Sequence, residues 1–192
     1  MELKEAIYER RSIRKYKSDA IEKEKIANIL AAGVMAPSGI DLQPWYFVVV
    51  KSKEAMNDVK QIMRETAPAM LPSLKERFAK YPQVVKETES FLTTLGNAPM
   101  CILVFINKPN LLKKESTNIQ SVAAAIQNML LVAHEEGLGS CWMTAPLETG
   151  ADVKFKEKFA PDKGDMVALI TLGYPAMEGK MTRRKSERFE IV

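Results

Sequence analysis

One histidine, His134, and two cysteines, Cys101 and Cys141, are the only imidazole and thiol groups in this 192-residue chain. A histidine-based metal site is not expected from that count, and a zinc site has too little to work with. Both cysteines sit in apolar runs without metal-ligand spacing, so each reads as a buried free thiol, and no disulfide framework is expected. Other familiar sites are missing as well. No Gly-x-Ser-x-Gly surrounds Ser38, and no Walker-type loop occurs. Gly137-Leu138-Gly139 lacks the third glycine and the preceding strand of a dinucleotide fingerprint. The longest apolar run, residues 98–106, is far too short to span a bilayer. The N-terminus opens on a charged amphipathic segment without an apolar signal region, so no membrane and a cytoplasmic location are expected. Chemistry of any difficulty would therefore have to come from a bound organic cofactor, with the protein supplying orientation and electrostatics.

Hydrophobic residues at 46% and charged residues at 27% suit a single globular domain with a sizeable core. The net charge of +4 is a mild excess, compatible with anionic small molecules. It is weak ground for a nucleic-acid partner, because aromatic residues are thin around both cationic clusters. Those clusters are Arg10, Arg11 and Arg14 near the start, and Arg183, Arg184, Lys185 and Arg188 near the end.

Leu3, Ala6, Ile7 and Arg10 fall at helical spacing, which predicts a short amphipathic helix over 2–10. The following run to Tyr16 looks extended, and is either a solvated basic turn or an anion cradle of guanidinium forks and a hydroxyl. Ile26, Ile29, Leu30, Gly33 and Val34 predict a second helix, and 45–50 a strand. Ser52 is a cap candidate for a helix over 53–66, and 67–72 breaks the pattern. Residues 73–95 are helical in character with an interruption at Tyr81-Pro82; the segment 67–97 is either a solvated surface helix or a lid or partner-contacting arm. A buried strand follows over 100–106, then the best amphipathic helix of the chain, from Asn118 to His134. Its small residues Ala123, Ala124 and Ala125 suit a core or subunit-interface helix, and His134 at its end reads as partly solvated and not a ligand. Strands over 140–143 and 166–172 flank a short helix at 151–159, and Phe189 to Val192 could add an edge strand. Helices interspersed with four or five strands make an α+β domain with a central sheet.

Between the second helix and the first strand lies Ala36-Pro37-Ser38-Gly39-Ile40-Asp41-Leu42-Gln43-Pro44-Trp45. Two prolines, a glycine and several polar groups give this loop a specified shape. It is either a tight turn whose polar groups satisfy local backbone, or a ligand loop on a rigid strand.

Together with this loop, Arg10-Arg11-Ser12-Ile13-Arg14-Lys15-Tyr16, Gly137-Leu138-Gly139-Ser140-Cys141-Trp142 and Leu172-Gly173-Tyr174-Pro175 resemble the FMN-dependent nitroreductase family, in the family's order and over nearly the whole chain. The resemblance implies a nitroreductase-like mixed central sheet and an intertwined homodimer with two FMN sites at the subunit interface. It places Arg10, Arg11, Ser12 and Arg14 around the phosphate, ribityl chain and pyrimidine edge of the flavin. Pro37, Ser38, Gly39, Asp41 and Gln43 would come from the other subunit. Thr144, Ala145, Pro146 and Leu147 lie where family members direct a backbone N–H at flavin N5. Arg184, then Arg183, then Lys185, would form a second phosphate clamp. The implied activity is oxidation of NADH or NADPH and reduction of a small electrophilic acceptor, such as a nitroaromatic or quinone, with ping-pong kinetics and no catalytic side chain. Alternatives are specialised flavin chemistry, either reductive dehalogenation or flavin breakdown, and an FMN-binding or storage module without turnover. Asp41 departs from the asparagine usual in the family; a carboxylate only accepts hydrogen bonds, which puts the flavin potential and substrate range in question.

Overall fold

In the computed structural model, which describes residues 2–108, 115–186 and 188–192, the strands are β1 (Trp45–Val50), β2 (Met100–Ile106), β3 (Gly139–Met143) and β4 (Met166–Gly173). They form one sheet in the order β1-β2-β4-β3. Every pairing among them is antiparallel, and the one parallel contact among the described residues is an isolated bridge between Ser12 and Ser140. The mixed character expected of the sheet is thus confined to that bridge. A fifth strand at the C-terminus is not formed in the single chain: Phe189, Ile191 and Val192 are exposed and lie beside no strand edge.

Both faces of the sheet are covered, which is why β2 and β4 are nearly continuous apolar runs. Cys101, Leu103 and Phe105 point to one face, and Met100, Ile102, Val104 and Ile106 to the other, with the period of two that a strand imposes. A bulge at Val104/Phe105, opposite Ala168 and Met166, lets Val167 and Ala168 share a face. The second face packs on α2 (Lys23–Val34) and α6 (Glu115–Glu135), through Ile29, Val122, Ile126, Met129 and Ala133. The helix α6 starts three residues before Asn118. It ends in a Schellman-type cap, with Gly137 at φ 75° and Leu138 N donating to Ala133 O at 2.8 Å. His134 sits half-buried in its last turn, with Nε2 lacking a partner.

The first face carries α3 (Lys53–Thr66), α4 (Leu71–Arg77), α5 (Pro82–Thr94), α7 (Ala145–Thr149) and α8 (Ala151–Phe159). Ser52 caps α3 as expected, accepting from Ala55 N at 3.2 Å. The break at 67–72 is a 3₁₀ turn, Ala67–Met70, running into α4. Segment 67–97 is tied to the body: Leu74, Val85, Phe91, Leu92 and Leu95 are all buried in this core. At the N-terminus, α1 (Leu3–Glu9) buries only Ala6, while Leu3 and Ile7 are 67% and 52% exposed. None of the described helices is long and apolar enough to cross a membrane.

Cys101, Thr171 and Cys141 stand in one row across β2, β4 and β3, and both thiols are free and buried. Burial pushes the Cys101 thiol up to about 12 and raises that of Cys141. Burial likewise holds Tyr16 well above the usual phenol range. Folding therefore keeps three acids protonated that the unfolded chain ionises from about pH 8.5 upward. Above that pH the unfolded state binds fewer protons, so stability falls as pH rises. Urea unfolding under reducing conditions should show a midpoint level near neutrality that declines steadily above about pH 8.5, and Cys101→Ala should make the decline shallower.

Candidate functional site

The segment after α1 is held by backbone hydrogen bonds from three directions. Ile13 N donates to Ser140 O, Tyr16 N to Gly96 O and Lys17 N to Tyr174 O, each at 2.9 Å, and Ala176 N returns to Lys15 O at 2.9 Å. The run is thus an extended rail along the open edge of β3. Room for it comes from glycines. A Cβ on Gly96, which has φ +60°, would lie 2.2 Å from Arg14 O; one on Gly139 would meet Ile13 at 2.8 Å. This is the structural sense of Gly137-Leu138-Gly139: the first glycine stops α6 and the second lets the rail pass.

Ile13 and Tyr16 are buried while Ser12 is half-buried and Arg14 and Lys15 are exposed, so the rail does not keep the strict period of two of a strand. Arg10, Arg11 and Ser12 are half-buried, and Ser12 lies within hydrogen-bonding reach of the Cys141 thiol. Burial first, then the charges of Arg11 and Arg184, hold the Arg10 guanidinium below its usual range. The exposed Arg184 of the tail thus lies within electrostatic reach of Arg10, and the tail passes close over Arg11 at Gly179, where a Cβ would lie 2.3 Å from Arg11 Cβ. No carboxylate is paired with Arg10, Arg11 or Arg184 among the described contacts. Arg183 and Lys185 are exposed. Arg14 is exposed too, with its guanidinium 5.9 Å from the Phe91 ring centroid. The extended run is therefore anchored to the body by its backbone, and it gathers cations of like charge along one stretch.

The Pro37–Gln43 loop sits elsewhere. Ile40, Asp41 and Gln43 have φ of 47°, 56° and 46°, a strained run for non-glycine residues. It is held from within by Gln43 N donating to Ser38 Oγ at 3.0 Å and Gln43 Nε2 donating to Asp41 Oδ1 at 2.9 Å. From outside, Ser121 of α6 accepts from Gly39 N at 3.4 Å. Asp41, Gln43 and Ile40 are exposed, Ile40 by 82%. Asn118, one turn before Ser121, buries an Oδ1 with no partner.

The loop adjoins the start of β1, and the cradle adjoins the start of β3, so they occupy diagonal corners of the sheet. Three strand spacings and about five residues of rise separate those corners by roughly 20–25 Å. The structure brings Arg10, Arg11, Ser12, Arg14 and Arg184 together, and leaves Pro37, Ser38, Gly39, Asp41 and Gln43 apart from them within one chain. Thr144, Ala145, Pro146 and Leu147 lie at the far end of β3 from the cradle, at the entry of α7. Pro146 has no N–H and Leu147 N already donates to Thr144 O at 2.9 Å, so only Thr144 or Ala145 has a backbone donor to offer. Sequence reasoning missed Ser121, Gly96, Phe91 and Thr171 as supports. A lone hydroxyl inside the apolar run of β4 was the one visible signal, at Thr171.

Comparison with known proteins gives the family. The model of the nitroreductase family matches residues 7–174. The chain belongs to the nitroreductase family. A relative from Methanothermobacter thermautotrophicus, provisionally named an NADH dehydrogenase/NAD(P)H nitroreductase, is 34% identical over 177 residues, covering 92% of this chain and 78% of its own. An iodotyrosine deiodinase of Thermotoga neapolitana is 26% identical over 86% of this chain and 84% of its own. A provisionally named nitroreductase from Desulfovibrio desulfuricans, crystallised with FMN, superposes with a TM-score of 0.73 at 28% identity, covering 100% of this chain and 98% of its own.

Three guanidinium groups and a hydroxyl without a counter-charge suit an oxyanion. Inorganic phosphate at ten times its dissociation constant should raise the melting temperature by about 3–6 °C, as mass action requires. Sodium chloride at equal ionic strength should not, and Arg184→Ala should reduce the gain; thermal denaturation with each salt checks both.

Proposed function

We propose that the chain is one protomer of a homodimeric FMN-dependent oxidoreductase that oxidises NADH or NADPH and reduces a small electrophilic acceptor. The observation that carries this reading is the cradle of Arg10, Arg11, Ser12 and Arg184, uncompensated by any described carboxylate and suited to a phosphate monoester. Bound FMN supplies the hydride chemistry, accepting reducing equivalents from the nicotinamide and passing them to the acceptor.

The chain's own groups bind and orient. Arg10, Arg184 and Ser12 hold the phosphate, and Arg14 favours negative charge at the pyrimidine edge. A backbone N–H of Thr144 or Ala145 serves the ring, and the Pro37–Gln43 loop of a second copy covers it. The diagonal separation of the two half-sites supports the dimer, because a single chain cannot close them on one ligand. The exposed apolar residues Leu3, Ile7, Val34, Met35 and Ile119, on α1, α2 and α6, support it as well. The exposed Tyr81 at the head of α5 suits an arm beside the entrance, with the rest of 67–97 anchored in the core.

Among acceptors, a nitroaromatic or quinone follows the nitroreductase relatives. A second reading, reductive dehalogenation, is favoured by the relatives named iodotyrosine deiodinase. Anaerobic reduction of the FMN-loaded protein by NADH or NADPH, followed by mixing with a nitroaromatic, a quinone or a halotyrosine, separates the two by which compound restores the flavin spectrum.

Arg10→Ala should weaken FMN binding by about ten- to a hundredfold, the scale of one or two charge-assisted hydrogen bonds, and leave riboflavin binding unchanged. Equal losses for both flavins would remove Arg10 from the phosphate. Light scattering of the FMN-loaded protein should give twice the chain mass, and FMN occupancy should fall as dilution releases monomers. A monomer with full FMN occupancy would refute the shared site.

A further inference from the structure

We propose that Tyr16 is a positioning residue for the phosphate cradle, acting through the Ile13 carbonyl with Thr171 as its anchor. The proposal rests on the reading that the cradle holds the phosphate of FMN. Ile13 lies between Ser12 and Arg14, and its own side chain points into the core, so its backbone sets where both neighbours go. On one side Ile13 N donates to Ser140 O at 2.9 Å. On the other, Tyr16 Oη reaches Ile13 O at 2.5 Å and Thr171 Oγ1 at 2.7 Å.

The direction of these bonds follows from their chemistry. A carbonyl can only accept, so the one phenol proton goes to Ile13 O, and the Thr171 hydroxyl must donate to Tyr16 Oη. A longer contact of 3.4 Å to Thr171 O shares the same proton. Tyr16 is 5% exposed and Thr171 fully buried, so water cannot replace either partner. Burial also keeps the phenol protonated, so the donor persists across the working pH range. Thr171 is itself immobile: it pairs with Cys101 of β2 on one side and Cys141 of β3 on the other, in the middle of the sheet. The chain of contacts therefore runs from the most rigid part of the fold, through one hydroxyl, to the carbonyl between Ser12 and Arg14.

This role differs from core packing. A phenylalanine at 16 fills the same apolar space and lacks only the hydroxyl. If Tyr16 merely stabilises the fold, its loss lowers the melting temperature and leaves FMN affinity where it was, because the population that binds is still folded. If it positions the cradle, affinity itself falls.

The test is fluorescence titration of FMN and riboflavin into apoprotein, with melting temperatures measured on the same samples. Tyr16→Phe should raise the FMN dissociation constant about fivefold to tenfold, the fold-change of a lost neutral hydrogen bond. Thr171→Val should shift it in the same direction, and Thr171→Ser, which keeps the donor, should restore the wild-type value. Unchanged FMN affinity in Tyr16→Phe, with or without a lower melting temperature, overturns the proposal. Should Tyr16→Phe fail to fold, the Thr171→Val and Thr171→Ser pair decides by the same comparison. Arg10→Ala is the control for the underlying reading. If it does not separate FMN from riboflavin, the phosphate assignment falls; if it does while Tyr16→Phe binds like wild type, only the positioning role falls.

Discussion

The rest of the site depends on one constraint, the clamping of an extended backbone segment against the open edge of β3. Residues 10–16 carry three arginines, which repel one another and the returning Arg184. Left to itself, such a segment would spread into solvent. Four backbone hydrogen bonds, to Ser140, Gly96, Tyr174 and from Ala176, hold it in place at about 1 kcal/mol each. The buried Ile13 and Tyr16 add apolar area removed from water. These terms together outweigh repulsion among partly solvated guanidinium groups, and the cations stay gathered. Gly96 and Gly139 exist at their positions because any larger residue would push the segment off its track.

A second constraint is topological. With β1 and β3 at opposite edges of the sheet, the strained loop before β1 and the cationic rail beside β3 are kept at diagonal corners. Rigidity does the separating, since both sheet faces are packed and nothing between the corners can fold up. The loop keeps three residues at positive φ through short polar contacts and one bond to α6. Backbone strain of that kind persists only where the surroundings over-determine it, and here the strained loop lies at the opposite corner from its own chain's cations. The apolar side chains Leu3 and Ile7 of α1 are likewise left uncovered in one chain.

Much of the architecture was legible from residue pattern. Strands β1 and β2 and helix α8 have the predicted limits, because long apolar runs and a clear 3.6-residue period leave few choices. Ser52 was readable as a cap, since a hydroxyl before a helical run has one obvious use. Boundaries slipped where local signals compete: α6 began earlier than its apolar stripe, and the stretch after β3, to which the sequence pattern assigns no element, forms a short helix. Proline in a first turn is compatible with such a helix and does not announce it. Segment 67–97 reads in sequence as a solvated surface helix or an arm, and in the structure it buries a few large side chains, Phe91 and Leu95 among them.

By itself, the sequence determined the α+β class, the strand and helix periods, the buried state of both thiols and the family, whose motifs are short, ordered and local. Only the tertiary structure decided which cations meet. Arg184 is 174 positions from Arg10, and its return depends on a tail packed over Arg11, which no local pattern encodes. It also decided that the two polar segments of the site are apart in one chain, since strand order is set by packing between elements and not by their order along the chain. The clearest case is Tyr16, which reads in sequence as the end of a basic run. Its hydroxyl acquires meaning only because β4 carries Thr171 to within 2.7 Å of it, a contact between residues 155 positions apart.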